Sequence, residues 1–589
     1  MKFRAILNDK YDLEEIAQRK QSARPHHKTL IYFAVVWAVL NILAIIYITK
    51  NNYIYFWDDS TYWDIARKIA SGAFSEGGFW HNVYNSVAEQ DYNYIAGLPS
   101  ALIVKIFGES RLAYVLGLVN LYLVTSFALV YVLAKKVSKA PKIAAVISLM
   151  ICPSMVFLTF NGFVDIGGLL GCLVCFNLYF VKDKDDDAIW RYAVIGVLLV
   201  ALMLWRRWYA FFSVSFITAM LADCVLFKKK WYKPIVTIAV VGLILVVFFR
   251  DFLVYKLMKD YGNLYSGYKF SVGTDLKLIT RYFGIIFVGV LAVSSVVMAV
   301  KKKETRTLFI WVQMIVCLFM FLSTQTHGQQ HLLLYIPSLI MLTLISIRHI
   351  TKEWALVGIS LLALVHSVNV YIPRTQPHNI QEIKHMALIP NFSMLPVSRD
   401  DTDEILALKK KIDTTVYDGD TLGVLASSFT LNEDILINAE PSLGVKSIRD
   451  NYIVSLPQVD SRDRDLTPLY TVNYVLVASP AQTHLAEGSQ TVVEEAVNSF
   501  MNYADIATAY EEVPECETVI DGITIKLFHR VRDEHQADIK TFEARLYKKD
   551  GRRQKYSEII NILFTLGTLT TIYYRFIIYI YLNYERVYI

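Results

Sequence analysis

Apolar runs of about twenty residues recur along the first 372 positions, and nothing else in the sequence limits its fold as tightly. Eleven stand at 29–49, 111–134, 143–160, 163–181, 190–205, 208–227, 235–250, 281–300, 307–323, 331–348 and 354–372. In hydrocarbon every backbone N–H and C=O needs an internal partner, so runs of this kind fold as helices. Composition agrees. Hydrophobic residues make up 54% and charged residues 19%, against about 25% charged in soluble domains. The expected class is an α-helical polytopic membrane protein with 11–12 spans and a C-terminal extracytoplasmic α/β domain. The twelfth span would be Ile559 to Leu582, rich in Tyr and carrying Arg575.

Basic residues lie between the runs, where they read as topology signals and not as a nucleic-acid surface. The N-terminus carries Lys2, Arg4, Lys10, Arg19, Lys20, Arg24 and Lys28. Later clusters are Lys135-Lys136 with Lys139 and Lys142, Lys228 to Lys230 with Lys233, Lys301 to Lys303 with Arg306, and Arg348 with Lys352. Counted through the spans, all fall on one side, so the N-terminus is expected to be cytoplasmic. The run from Thr29 is too long for a signal h-region and reads as an uncleaved anchor. Of the six cysteines, five sit in apolar runs and Cys516 stands alone, which is no disulfide framework. Cys172 and Cys175 share a helical face and read as packing residues.

Four parts follow. Residues 1–28 form a cytoplasmic segment, 29–372 a membrane domain with a first outer loop at 50–110, 373–555 an outer α/β domain, and 556–589 an apolar tail. Within 373–555, helical periodicity marks Thr402 to Ile412 and Thr491 to Met501. Strand patterns mark Thr421 to Ala426, Asp434 to Ala439, Tyr474 to Ala478 and Ile523 to Phe528. In the first loop, Ser60 to Ser71 reads as an interfacial helix stopped by Gly72, and Ile95 to Phe107 as a second short apolar piece.

The unusual polar groups fall at the outer ends of the spans. They are Asp58-Asp59, Asp165, Arg206-Arg207, the Tyr-rich loop 251–280 with Lys269, and His327 with His331. Carboxylates at a membrane surface point to function, although Asp58, Asp59 and Asp165 could instead cap helices. Arg206 and Arg207 could be interfacial anchors, but paired Arg on the outer side runs against the topology bias. His327 and His331, four apart, could approach a metal on one helical face, yet no third ligand is visible.

The order of these groups resembles the GT-C glycosyltransferases, most closely the superfamily of protein O-mannosyltransferases and lipid A aminoarabinose transferases. Asp58-Asp59-Ser60-Thr61-Tyr62, Ala66 and Ser71-Gly72 resemble the first-loop D-E-x-x-Y…A…G motif, with Asp59 in place of the usual Glu. Leu98-Pro99 to Ile106-Phe107-Gly108-Glu109-Ser110 resembles the family's approach to span two, and Asp165 its second-loop Asp. The resemblance covers roughly residues 50–370. It implies transfer of a sugar from a polyprenyl-phosphate carrier to a glycan, lipid or protein acceptor on the outer face of the cell membrane. Asp58 would be the base, with Asp165 and Asp59 as further catalytic carboxylates. Arg206, Arg207, His327, His331 and Lys269 would contact the donor phosphate. The resemblance implies no cofactor with certainty and leaves a divalent metal open. Two other activities fit the same composition: a membrane polysaccharide polymerase or ligase, using the basic 251–280 loop, and a lipid-linked sugar transporter. A transporter would show internal repeats and midplane charges, and neither is visible.

Overall fold

The structure is a computed structural model. It describes residues 26–72, 77–138, 140–180, 188–227, 229–302, 304–350, 352–370, 383–391, 399–445 and 452–546. The N-terminal basic segment and the Ile559 to Leu582 run lie outside them.

Each of the eleven apolar runs is helical over most of its length. Among the described residues, six helices are long and apolar enough to cross a membrane: Lys28–Thr49, Arg111–Val137, Tyr209–Phe227, Ile285–Lys302, Thr305–Thr324 and Glu353–Val370. With that number of apolar helices, the chain is a multi-pass membrane protein. Two further runs are bent pairs. Pro141–Ile151 and Ser154–Phe160 meet at 64°, where Pro153 has no N–H to continue the ladder. Tyr232–Phe248 and Arg250–Leu257 meet at 103°. The remaining helices, Ile166–Phe180, Ile189–Trp205 and Ile336–His349, fall short of about twenty residues. Every residue from Ile336 to Ile347 is buried, so this segment is enclosed by protein, not by lipid.

The first loop is more helical than its sequence suggests. Asp58–Ser71 is a helix whose Tyr62, Trp63, Ile65 and Ala66 are buried. Gly72 ends it at φ 84, a conformation that favours glycine. Phe79–Glu89, which lacks a clear sequence signal, is a second helix, and Leu98–Phe107 a third.

The C-terminal unit is a five-stranded mixed sheet in the order β2-β1-β3-β5-β4. The strands are β1 Leu422–Leu425, β2 Ile453–Val454, β3 Tyr474–Ser479, β4 Tyr510–Ile520 and β5 Ile523–Arg530. β1 runs parallel to β2 and β3, while β5 is antiparallel to β3 and β4. Helices Thr402–Thr415 and Thr491–Met501 stand where periodicity places them. The expected strand Asp434 to Ala439 is instead part of the helix Glu433–Ser442. Ile435, Leu436 and Ala439 are buried together at helical spacing, and the Asn432 side chain caps the turn by accepting from the Ile435 N–H at 3.0 Å. Alternation over six residues is too short to exclude that reading.

The sheet domain is fastened to the first loop. Ile54 is fully buried in the sheet domain's own apolar cluster. The Tyr55 N–H donates to Ser442 Oγ at 3.1 Å, and the Trp57 N–H to Asp434 Oδ2 at 2.8 Å. From the other side, buried Arg111 donates to the carbonyls of Ile48, Asn51 and Tyr53. The six residues before Asp58 are thus held between bundle and sheet.

Candidate active site

Trp57 begins the site with a strained turn. Its φ of 49 and ψ of −126 are rare for a side-chain-bearing residue and are costly unless the surroundings impose them. Here they do. The Trp57 carbonyl accepts from Ser60 Oγ and Thr61 Oγ1, each at 2.8 Å, while its N–H is held by Asp434. Trp57 makes no side-chain cap to the helix. The carboxylates of Asp58 and Asp59 therefore sit in the first turn without serving as its cap, at the positive end of the helix dipole.

Asp58 gathers three loops. Its Oδ1 accepts from the Tyr92 hydroxyl. Its Oδ2 accepts from Gln330 Nε2 at 2.5 Å and from Arg206 Nη2 at 3.2 Å. The same guanidinium reaches Asp165 through Nε at 3.4 Å, so one cation joins the two carboxylates. Trp208 lies under that guanidinium, 3.9 Å from its carbon, and donates from Nε1 to Asp165 Oδ1 at 2.9 Å. Asp165 immediately precedes the helix Ile166–Phe180. Its carboxylate is turned towards Arg206, and its own carbonyl accepts from the Tyr209 hydroxyl at 2.6 Å. Gly168 makes this approach feasible, because a Cβ there would lie 2.2 Å from the Tyr209 ring.

Asp165 and the Arg206 side chain are almost wholly buried, whereas 16% of the Asp58 side chain is exposed. Removing such charges from water costs several kcal/mol per ion. Asp165 Oδ2 and Arg206 Nη1 are, moreover, buried without a hydrogen-bond partner among the described residues. A network this costly is poor stabilisation but good positioning.

Asp58 and Asp59 face a cavity of about 1060 Å³. Its lower wall includes Arg207, Arg281, Gln330 and His331, and its upper wall belongs to the sheet domain. Arg207 donates to Asp91 at 2.9 Å and to the hydroxyls of Tyr261 and Tyr265 at 2.8 and 3.3 Å. The Tyr-rich loop thus converges on this cavity. Two of its basic residues are engaged: Lys256 pairs with Asp91 at 3.0 Å, and Lys269 donates to the Ser323 carbonyl at 3.0 Å, off the cavity wall.

The two histidines separate. His327 is committed on both nitrogens, with Nδ1 2.7 Å from Asp275 and Nε2 2.7 Å from the Tyr335 hydroxyl, and its ring lies 4.2 Å from that of Phe321. His331 Nδ1 accepts from the Gly328 N–H at 2.8 Å, which leaves the ring proton on Nε2. That Nε2 is buried and has no hydrogen-bond partner among the described residues. Among the described residues no group of three or more His, Cys, Asp or Glu side chains could hold a metal ion.

Asp59 differs from Asp58. It is buried and accepts from the Tyr53 hydroxyl at 2.5 Å. Burial, together with the nearby charges of Asp58, Asp165 and Asp434, raises its pKa well above the usual carboxylate value, against the Tyr53 bond. The unfolded chain loses this proton near pH 3.9. Above that the folded state binds more protons, so the stability contributed by Asp59 falls as pH rises towards the folded pKa. Asp59→Asn removes this penalty. Its melting temperature relative to wild type is expected to climb as pH rises above about 4 towards the folded pKa. A difference that stays flat or shrinks over that interval would contradict a proton held on Asp59.

No family model matches this sequence, and neither does any curated protein. Solved structures do. ArnT from Cupriavidus metallidurans in the apo state superposes with a TM-score of 0.54 at 11% identity, over 85% of this chain and 98% of that one. The same enzyme bound to undecaprenyl phosphate gives 0.53 at 10% identity, with the same coverage. The chain has the GT-C fold. The archaeal oligosaccharyltransferase AglB from Archaeoglobus fulgidus, in complex with an inhibitory peptide and dolichol phosphate, gives a TM-score of 0.38 at 12% identity, too low to add weight. In this GT-C chain Tyr92, Gln330, Asp91 and Tyr53 belong to the site geometry without having been singled out in sequence. Tyr92 and Asp91 lie in a stretch with no periodicity, and Gln330 sits beside the more conspicuous His331.

Proposed function

We propose that this chain is an inverting membrane glycosyltransferase. It moves a hexosyl or pentosyl group from a polyprenyl-phosphate carrier to an acceptor on the outer face, with Asp58 as the base. The observation that carries this reading is the Asp58 carboxylate, set at the wall of a 1060 Å³ cavity by Tyr92, Arg206 and Gln330. The GT-C fold and the undecaprenyl phosphate named for the ArnT structure support the choice of carrier. The basic clusters between spans support a cytoplasmic N-terminus, which sets Asp58, the cavity and the sheet domain on the outer side.

In this mechanism Asp58 takes the proton of an acceptor hydroxyl as its oxygen bonds to the anomeric carbon. The bond from that carbon to the carrier phosphate breaks, and the phosphate leaves with the electron pair. One displacement inverts the anomeric centre. Arg206 and Asp165 are positioning residues, since the guanidinium lies behind Asp58 and fixes its Oδ2. Asp59 carries its proton and supports the turn. The departing phosphate needs donors at the lower wall. Arg207 and Arg281 supply charge there, and His331 lines the same wall. His327 braces the loop, and Lys269 stands away from the phosphate.

Arg207→Gln tests the phosphate side. Hydrogen bonds to charged groups contribute about 1.5–3 kcal/mol. The KM for a labelled polyprenyl-phosphate sugar is therefore expected to rise at least about tenfold. An unchanged KM would place the phosphate elsewhere.

A further inference from the structure

The upper half of the cavity differs in character from the lower. Trp57, from the first loop, meets Phe429 of the sheet domain edge-on at 5.1 Å and His484 at 4.1 Å. Tyr268, from the loop after the bent pair, closes the group 6.5 Å from His484. All four line the cavity. Phe429 is 40% exposed, an unusual state for a ring whose loop is so firmly held. Arg399 donates to the Phe429 and Thr430 carbonyls at 3.1 and 2.6 Å while making a two-pronged pair with Asp401. The Trp57 turn is braced on both sides, as described above. A rigid aromatic platform is pre-formed without a ligand.

Its polar groups point the same way. His484 Nδ1 lies 2.7 Å from the Ser427 carbonyl, so Nδ1 carries the proton and Nε2 presents a lone pair. Burial lowers the His484 pKa to about 4, which keeps the ring neutral. The sheet domain also gives the cavity Asp400, Asp401, Glu404, Glu433, Asp434 and Asp521. Against these carboxylates stand Arg399 and Arg462, whose guanidiniums are already paired with Asp401 and Asp463. Burial raises the pKa of Glu433 and Asp434, as it does that of Asp59, and Asp401 is paired with Arg399, so the wall offers hydrogen-bonding oxygens more than free negative charge.

We propose that this upper compartment is the acceptor subsite and that it takes an uncharged glycan. The inference rests on the transferase reading and adds the acceptor's chemical class. A saccharide ring offers an apolar C–H face to Trp57, Phe429 and Tyr268. Its hydroxyls donate to His484 Nε2 and to the carboxylates of the roof. A phosphorylated or uronic acid acceptor would find the guanidiniums of Arg399 and Arg462 already committed to Asp401 and Asp463. Interdomain adhesion alone does not account for a braced ring left two-fifths exposed.

The test uses the full-length protein in nanodiscs, fluorescently labelled, on an array of immobilised neutral, uronic acid and phosphorylated oligosaccharides. Binding is expected on neutral glycans alone. Phe429→Ala and His484→Ala should each weaken it about three- to tenfold, the range for one aromatic contact. Both should leave the binding of polyprenyl phosphate unchanged. Asp58→Asn should keep glycan binding. Loss of transfer with glycan binding retained would locate a fault in the catalytic reading, not in this one. Preference for anionic glycans, binding to no glycan, or neutral binding unaffected by both variants would overturn the proposal.

Discussion

Asp58→Asn is expected to lower turnover by about 10²–10⁴-fold while leaving the protein folded. The magnitude is that of a positioned general base. The amide has almost the shape of the carboxylate, and its oxygen can still accept from Arg206 or Gln330, which hold the wild-type Oδ2. It can neither take the acceptor's proton nor carry the charge that orients the acceptor. Because Asp58 does not cap its helix and Arg206 keeps Asp165 as a countercharge, the loss in stability should stay below the about 3–5 kcal/mol of breaking a buried pair outright. Asp59→Asn is the control: it replaces a buried, proton-bearing group and should turn over nearly as wild type does. Transfer from a labelled polyprenyl-phosphate sugar in purified membranes measures both, with melting as a check on folding. A nearly normal Asp58 variant beside an inactive Asp59 variant would move the base by one residue. Two nearly normal variants would remove the carboxylate mechanism.

Arg206→Ala should cost the most stability. It strands Asp165 inside the bundle beside Asp58 with no countercharge, and breaking a buried ion pair from one side costs about 3–5 kcal/mol. It also removes the cation seated on Trp208, Tyr62 and Tyr92, at 3.9, 4.8 and 5.3 Å. Arg206→Lys keeps the charge but cannot span two carboxylates with a planar fork, so it should lose activity with a smaller fall in melting temperature. Adding Asp165→Asn to Arg206→Ala should recover part of the stability, because the stranded charge is then gone. Thermal melting of the four proteins in detergent decides this. If Arg206→Ala melts with wild type, the guanidinium is not the joint between the loops.

Much of this site was legible because charge is conspicuous in an apolar chain. Asp58, Asp165 and Arg206 stand out where each run ends, and the structure joins them through one guanidinium. What sequence could not show is the direction a side chain takes. Arg206 and Arg207 are adjacent, yet one is sealed behind the wall and the other faces the cavity. His327 and His331 look alike in sequence, but Asp275 and Tyr335 claim one of them entirely. Tyr92 and Gln330 carry no formal charge and gave no signal, although they are the nearest neighbours of Asp58. The fold followed the same pattern. Apolar length found the helices, but whether lipid or protein surrounds Ile336–His349 depends on distant helices. The turn at Phe249 also shortened a run that hydropathy would extend. Residues 434–439 failed because six residues cannot separate a period of two from one of 3.6.

The most direct test of the account is where a carrier phosphate binds. The measurement is a cryo-EM structure of the full-length protein in nanodiscs with added undecaprenyl phosphate. The account predicts phosphate density in the lower half of the cavity, within about 3.2 Å of Arg207 or Arg281. It also predicts that the phosphate lies on the same side of the cavity as the Asp58 carboxylate, with the polyprenyl chain leaving between helices towards lipid. Phosphate bound outside this cavity, or within it but against the sheet domain, would contradict the account.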